Sequence, residues 1–385
     1  MSFLESLAAA FKGSSVRVPL ARNFTSPWVF SDSAGARAPF EYSHSVKRAY
    51  LDNPVAQRAV RLVGEGIGGA ALLPTDAGLA ALVSATSAGQ SLLETLACQL
   101  LLHGNGYVQV MKDASGRPVE LFALRPERVS VIAGEDGWPS AYAYRVGEKV
   151  LTIPVLDEDA SPNLIHIKGF HPSDDHYGAG CLAAADQAVA IHNAASNWNR
   201  NLLENAARPS GALVYDTGDS AGLTADQFDR LKAELARAFS GDANAGRPML
   251  LEGGLKWQSL SLSPADMDFA TLKAAAARDV ALAFGVPPML LGLPGDATYA
   301  NYREANRALW RLTLLPLANK LLAALAEGLA VWFPDARLAI DLDRIPALAE
   351  DRERLWSQVS AADFLSDAEK RALLGLAPDV SENKS

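Results

Sequence analysis

The sequence predicts an α+β protein, and three observations carry that prediction. Long stretches of helical periodicity occupy residues 179–207 and 299–332. Between about 107 and 167, short alternating runs rich in Val, Ile, Tyr and Phe are punctuated by Gly and Asp turns, the pattern of antiparallel strands. A third region, 210–262, reads strand, helix, strand and sits between two helices.

Residues 1–45 are rich in Ser, Ala, Arg and Pro without sustained periodicity and read as an arm, with a short helix at Phe3 to Phe11. Asn53-Pro54 opens a helix to about Val63, because proline suits the first helical turn. The glycines of Gly64 to Gly69 are expected to end it. A helix from Gln90 to Leu102 presents Leu92, Leu93, Leu96, Leu100 and Leu101 as a wide apolar stripe. Strands follow at Tyr107–Met111 and Glu120–Leu124, joined through the turn Asp113 to Gly116, then at Arg128–Ile132, Ala141–Val146 and Leu164–Ile167. Residues 169–180 read as a polar loop.

The helix from Ala179 to Ala207 places Asn193, Asn197, Asn201 and Asn205 four residues apart along one drifting face. Ile191, Ala194, Trp198 and Leu202 would form a second face. The asparagine row suits a solvated or subunit-facing stripe, or a sugar or nucleic-acid surface. Arg208-Pro209 stops the helix. The inserted module has strands at Ala212–Tyr215, Met249–Leu251 and Lys256–Leu262, and a helix opened by the capping box Thr224 to Gln227. Ser263-Pro264 begins a helix to Phe284. It ends at Gly285, and Pro287-Pro288 forms a rigid elbow. A short apolar strap and a Pro-Gly-Asp turn lead into the helix Tyr299–Trp332, which Pro316 is expected to kink. Arg337–Leu342 reads as a strand. Ala347–Ala362 and Ser366–Leu374 read as amphipathic helices, the second opened by Ser366-x-x-Glu369.

At 385 residues, with 49% hydrophobic and 21% charged residues, the chain is long enough for several cores. Its net charge of -9 argues against tight binding of duplex DNA, which needs basic surface to displace counterions. The two cysteines, Cys98 and Cys181, allow one disulfide arithmetically, yet so few thiols suggest a reducing compartment. Glu5 and a short apolar run argue against a secretory leader. Arg311, Asn319, Lys320 and Glu327 interrupt the most apolar helix, which is therefore expected to be buried rather than membrane-spanning.

Each motif with a catalytic look lacks its required context. Gly218-Asp-Ser-Ala-Gly222 matches the Gly-x-Ser-x-Gly elbow, but the histidine that should follow the serine is missing, since His192 is the last in the chain. Gly64-Glu-Gly66-Ile-Gly68 follows a helix rather than a strand, so the dinucleotide context fails. No Gly-x4-Gly-Lys-Ser/Thr phosphate loop is present. His166, His171 and His176, with Asp174, Asp175 and Cys181 nearby, match no established zinc spacing. No catalytic residue, cofactor or metal is expected.

The ordered set Leu102-His-Gly-Asn-Gly-Tyr-Val-Gln-Val110, Arg125-Pro-Glu-Arg-Val129, Ile165-His-Ile-Lys-Gly169, Gly178-Ala-Gly-Cys-Leu182, Asp266-Met-Asp-Phe269, Phe284-Gly-Val-Pro-Pro288 and Thr298-Tyr-Ala-Asn301 resembles HK97-type phage portal proteins over roughly residues 45–345. The family often has Ser-Pro where this chain has Gly180-Cys181. The resemblance implies a portal-protein fold. Residues 1–45 would be the arm, 46–178 the wing and 179–207 the first stem helix. Residues 208–263 would be the clip, 264–285 the second stem helix, 286–302 the tunnel loop, 303–343 the long helix returning to the wing, and 344–385 a short crown and tail. It implies a ring of about twelve copies at a capsid vertex of a virion assembled in the bacterial host cytoplasm. It further implies duplex DNA passing without sequence specificity, with terminase, a head–tail adaptor and the major capsid protein as partners and no membrane.

On that reading Leu293, Pro294, Gly295, Asp296, Ala297, Thr298, Tyr299 and Asn301 would form the loop at the DNA channel. Its tip is small, polar and free of Lys and Arg, so a ring of tips would touch DNA without gripping phosphates. Asn193, Asn197, Asn201 and Asn205 would mark a stem face. Trp257, Lys256 and Arg247 would mark the docking end of the clip. Arg303 and Arg307 are expected to pair locally, for example with Glu304. A gene-transfer-agent particle is equally compatible. The alternatives are a serine hydrolase using Ser220 and a monomeric cytosolic adaptor.

Overall fold

The computed structural model describes residues 42–87, 89–204, 211–215, 224, 226–230, 233, 255–259, 269–293 and 299–376. The expected Phe3–Phe11 helix, the Met249–Leu251 strand and the Ser263-Pro264 helix start lie outside these residues. The chain divides into two compact units. One comprises Val63–Gly180 and Leu314 onward; the other comprises Ser43–Leu62 and Cys181–Thr313.

The first unit holds two three-stranded antiparallel sheets. In one, Asn105–Lys112 lies between Pro118–Leu124 and Leu164–Lys168. In the other, Pro139–Val146 lies between Val129–Ala133 and Lys149–Pro154. The strand Lys149–Pro154 was not anticipated, because Val150 and Leu151 are exposed and the run lacks a clean alternation. Tyr107, Leu124, Val129, Tyr142, Ile153 and Leu164 form one core that joins the two sheets. The Leu92–Leu102 helix covers the first sheet with the predicted leucine stripe, all five of which are buried. Ser91 caps it through Glu94 N–H. The helix Ala77–Ser84 and the strand Leu72–Pro74 were also missed. That strand pairs with Leu338–Ile340, so its partner lies far along the chain.

The glycines of Gly64 to Gly69 do not end the helix they follow. It runs Pro54–Gly68. A Cβ on Gly64 would stand 2.6 Å from Cys98 Sγ, one on Gly66 2.5 Å from Leu314 Cδ2, and one on Gly68 2.8 Å from Glu94 Cβ. These glycines let neighbouring side chains approach the helix backbone, a role that outweighs their poor helix propensity.

The strands and loops of this unit are held together at one crossing. Gly104 has φ +84°, and a Cβ there would lie 2.3 Å from the Ala179 carbonyl carbon. One on Gly178 would lie 2.1 Å from Gly104 O, and Gly169 and Gly180 are comparably tight. Gly169 N–H donates to Gly104 O at 2.7 Å. Asn105, 1% exposed, locks the crossing. Its Oδ1 accepts from Gly178 N–H at 2.7 Å and from His166 Nε2 at 3.0 Å, and its Nδ2 donates to Gly178 O at 3.1 Å. At the other end of the Asn105–Lys112 strand, Lys112 Nζ reaches Asp157 at 2.5 Å, Ser161 at 2.7 Å and Asn163 at 3.1 Å, tying the strand to the loop before Leu164–Lys168.

In the second unit, the Cys181–Glu204 helix packs along Phe269–Ala283. Its inward face is Leu182, Ala185, Val189, His192 and Ala195. The expected face through Ile191 and Ala194 is displaced, since Ala194 is exposed. Polar His192 masks the true register. Gly211–Tyr215 pairs with Leu255–Ser259, and Thr224 and Gln227 exchange the two hydrogen bonds of the predicted capping box.

The expected single helix Tyr299–Trp332 is Tyr299–Leu309, a π-helical turn Trp310–Leu314, and Leu315–Gly328. Pro316 sits in the first turn of the last segment, where its missing N–H breaks the regular ladder and the widened turn takes up the mismatch. The interrupting charges do not disqualify this stretch, which by length and composition is apolar enough to cross a membrane. What gives it a core role is a buried stripe of Leu314, Ala318, Leu321, Leu322 and Leu325, and Gly328 packed on Ile165. The strand Leu338–Ile340 and the helices Ala349–Ser360 and Asp367–Leu374 follow as expected. The last has the predicted Ser366–Glu369 capping box.

Asn105→Ala should lower unfolding stability by about 3 kcal/mol, because Gly178 N–H and His166 lose a buried acceptor. Urea unfolding followed by tryptophan fluorescence measures it. A loss below about 1 kcal/mol would mean that the glycine packing alone holds the crossing.

Candidate functional site

The strongest candidate for function is the run from the end of the Phe269–Ala283 helix to the start of Tyr299–Leu309. Phe284 is buried, and Gly285 then turns the chain at φ +66°. A Cβ at Gly285 would lie 2.8 Å from Thr313 Oγ1, whose hydroxyl donates to Gly285 O at 2.6 Å. Pro287 starts a short 3₁₀ turn, Pro288–Leu291, closed by Gly292. Leu293 is half-buried. Pro294, Gly295, Asp296, Ala297 and Thr298 lie outside the described residues. Tyr299 and Asn301 are exposed on the first turn of the next helix. The Arg303 guanidinium stands 5.9 Å from the Tyr299 ring centroid, and Arg307 pairs with Glu304 at 2.9 Å, as the sequence suggested.

The asparagine row is split by the structure. Asn193 is engaged internally: it donates to Arg48 O at 2.9 Å and accepts from Asn53 Nδ2 at 2.8 Å. Asn197 and Asn201 are exposed, and Asn205 lies outside the described residues. Residues four apart rotate about 40° per step around a helix, which carries the row from a packed flank to an open one. Asn53 was not singled out as a tether. Its Oδ1 caps the Pro54–Gly68 helix through Val55 and Ala56 N–H at 3.0 and 2.9 Å, while its Nδ2 also meets His192 Nδ1 at 3.1 Å. Arg48 and Asp186 close the same contact at 2.5 Å.

In the inserted module, Trp257 and Lys256 fall on the Leu255–Ser259 strand, opposite Leu213 and Val214. Arg247 and Ser220 lie outside the described residues. Neither cysteine forms a disulfide. Among the described residues no three His, Cys, Asp or Glu side chains cluster for a metal. His166 stacks on Tyr107 at 4.3 Å and meets Tyr142 edge-on at 5.8 Å. Burial, reinforced by Lys168, His103 and His176, holds its pKa down at about 3. It is a structural, neutral donor. His171 Nδ1 accepts from Ser173 N–H in the loop.

A family model described as "Phage portal protein" matches residues 54–375. This chain belongs to the phage portal protein family. It is 42% identical over 305 residues to an uncharacterized protein of Rickettsia felis, covering 77% of this chain and 76% of that one. Among solved structures, it is similar to a chain in the virion of a native gene transfer agent particle, with TM-score 0.68, 46% identity, and coverage of 90% and 97%. A chain in the neck of that particle, computed with C12 symmetry, gives TM-score 0.67 and 46% identity, with coverage of 89% and 95%. An HK97-family portal protein from Corynebacterium diphtheriae, at 19% identity, TM-score 0.57 and coverage of 77% and 96%, shares the fold.

The motifs that resemble the family have a physical meaning in this chain. Three portal-like motifs, at Leu102–Val110, Ile165–Gly169 and Gly178–Leu182, meet at the Asn105 crossing. The sequence alone does not mark Asn105 as the centre of its motif. The signal available was an asparagine flanked by Gly104 and Gly106.

The histidine of this portal crossing makes the fold acid-sensitive. The unfolded chain takes up a proton at His166 near the ordinary value of 6.5, whereas the folded state resists to about 3. The unfolded state therefore binds more protons between those limits, so stability falls as pH drops from 6.5 toward 3 and is untouched above. Unfolding midpoints across pH 3.5–7.5 should show this slope. His166→Gln, which keeps an N–H donor, should flatten it; an unchanged slope would assign acid sensitivity elsewhere.

Proposed function

We propose that the chain is the subunit of a closed ring at the capsid vertex of a virion-like particle, through which duplex DNA is packaged and released. The observation that carries this reading is the 46% identity, over 89% of this chain, to a chain in a C12-symmetric neck. Head-to-tail contacts between identical copies close into such a ring. About twelve copies is the expected number. The same identity favours a gene-transfer-agent type of particle over a phage.

In this assignment residues 46–178 are the wing and 344–385 the crown. Residues 179–207 and 264–285 are the stem, 208–263 the clip and 286–302 the tunnel loop, with 303–343 returning to the wing. The described helices Cys181–Glu204 and Phe269–Ala283, packed on each other, are consistent with a stem. The Gly285 turn, the prolines and the Thr313 hydrogen bond favour a rigid base before the proposed tunnel loop, residues 293–301. Their lack of Lys and Arg, in a chain of net charge -9, favours weak, sequence-independent contact with phosphate. Asn197 and Asn201 are the exposed members of the row, whereas Asn193 is partly buried and bonded to Asn53 and Arg48. The clip is assigned to terminase and then a head–tail adaptor, with Trp257, Lys256 and Arg247 at its docking end, and the wing to the major capsid protein. The role is a conduit and platform without catalytic chemistry.

Light scattering of the purified chain, with negative-stain images of the same fraction, should show rings of about a dozen subunits with a central hole. Removing Leu293 to Ala300 should leave rings intact and reduce DNA-filled particles; normal filling would remove the loop from the channel. Trp257→Asp should weaken docking of terminase or adaptor to assembled rings in a pull-down. Undiminished capture would move the docking end elsewhere.

A further inference from the structure

In the first unit, a recess of about 440 Å³ opens where the Leu92–Leu102 helix meets the Pro118–Leu124 strand and the turn that follows it. Arg125 and Arg128 both line it. They stand at the two ends of one turn, in which Arg128 N–H donates to Arg125 O at 3.0 Å, so their Cα atoms lie within about 7 Å. Neither guanidinium has a hydrogen bond or an ion pair among the described residues. No carboxylate lines the recess. The charge of Glu127, between the two arginines, is felt at Tyr42 and His103 instead, and Glu94 packs beside Gly64 and Gly68. Two unpaired arginines in one recess stand out in a chain of net charge -9. Arginine is favoured where a planar carboxylate is held by paired hydrogen bonds.

The rest of the lining says what accompanies that charge. Phe122 and Tyr144 add aromatic surface. Tyr144 comes from the second sheet, where it pairs with Val129, the residue after Arg128. Gln99 also lines the recess. Its Nε2 donates to Leu124 O at 2.9 Å, which fixes the amide, and its Oε1 is buried with no hydrogen-bond partner among the described residues. The recess thus presents two cations, an aromatic wall and an acceptor in need of a donor.

We infer that this recess docks an acidic peptide segment of a partner protein. An Asp or Glu carboxylate of that segment sits on Arg125 and Arg128. An adjoining apolar side chain lies against Phe122 and Tyr144, and a peptide N–H serves Gln99 Oε1. The inference goes beyond the ring proposed above and can be read on a single chain. Nucleic acid is disfavoured. Two guanidiniums release too few counterions to hold a duplex against the repulsion of an acidic chain. A phosphodiester also offers no donor to Gln99.

The test uses the full chain and an array of short synthetic peptides in which Asp or Glu adjoins an aromatic or aliphatic residue. Each peptide is paired with its Asn or Gln twin, and those that bind are measured by fluorescence polarisation. The acidic peptides should bind about tenfold or more tightly than their twins, and added salt should weaken them. Arg125→Glu and Arg128→Glu should each lower affinity at least about tenfold. Arg145→Glu makes the same charge change outside the recess, next to Tyr144 on the opposite face of its strand, and should alter affinity less than about twofold. Circular dichroism and melting temperature of both recess variants should match wild type, since neither side chain is paired in the fold. Should a charge reversal misfold, Arg125→Gln and Arg128→Gln supply the same reading. No preference for the acidic twins would overturn the proposal, as would binding that survives both recess variants or falls equally with Arg145→Glu. Arginine-dependent binding of a short oligonucleotide, with no peptide bound, would overturn it in favour of nucleic acid. Loss of rings in Arg125→Glu would overturn it in favour of a second copy of this chain.

Discussion

Four glycines cross backbone against backbone in the first unit, and Asn105 closes the crossing with its side-chain amide. No residue with a Cβ fits at Gly104 or Gly178, where the nearest atoms are main-chain rather than adjustable side chain. The segment Gly169–Gly180 has no regular secondary structure, so its backbone groups need partners from elsewhere. Asn105 supplies both an acceptor and a donor to Gly178, and Gly104 supplies the acceptor for Gly169. The end of one helix, two neighbouring strands and the loop before the Cys181–Glu204 helix all depend on this contact.

The second unit uses the same device. Asn53 caps one helix with its oxygen and reaches His192 and Asn193 on another with its nitrogen. Each asparagine is almost fully buried and its amide is used in both directions, so desolvation is matched by hydrogen bonds. Apolar packing is tolerant of small sliding; a bidirectional amide is not, because each bond is lost within a few tenths of an ångström. For a subunit that must meet identical neighbours around a ring, such fixed points within each unit keep the copies alike.

The packed interiors contrast with the exposed leucines of the Phe269–Ala283 helix and the π-helical turn, where Leu282 and Leu312 are 78% and 77% exposed.

The sequence by itself determined the α+β class, the leucine-striped helix and the hairpin through Asp113 to Gly116. It also placed the Thr224 and Ser366 capping boxes and the Gly285-to-Pro288 elbow, because each is written in local periodicity, capping or turn chemistry. The order of its motifs was enough to reach the portal family. Tertiary structure alone decided the rest. Gly64, Gly66 and Gly68 sit inside a helix because Cys98, Leu314 and Glu94, distant in sequence, press against it. The Leu72–Pro74 strand exists because Leu338–Ile340 pairs with it. The asparagine row divided because Asn53 and Arg48 claimed Asn193. In every such case the deciding partner lies tens to hundreds of residues away, and single-sequence patterns carry no information about which distant segment will arrive.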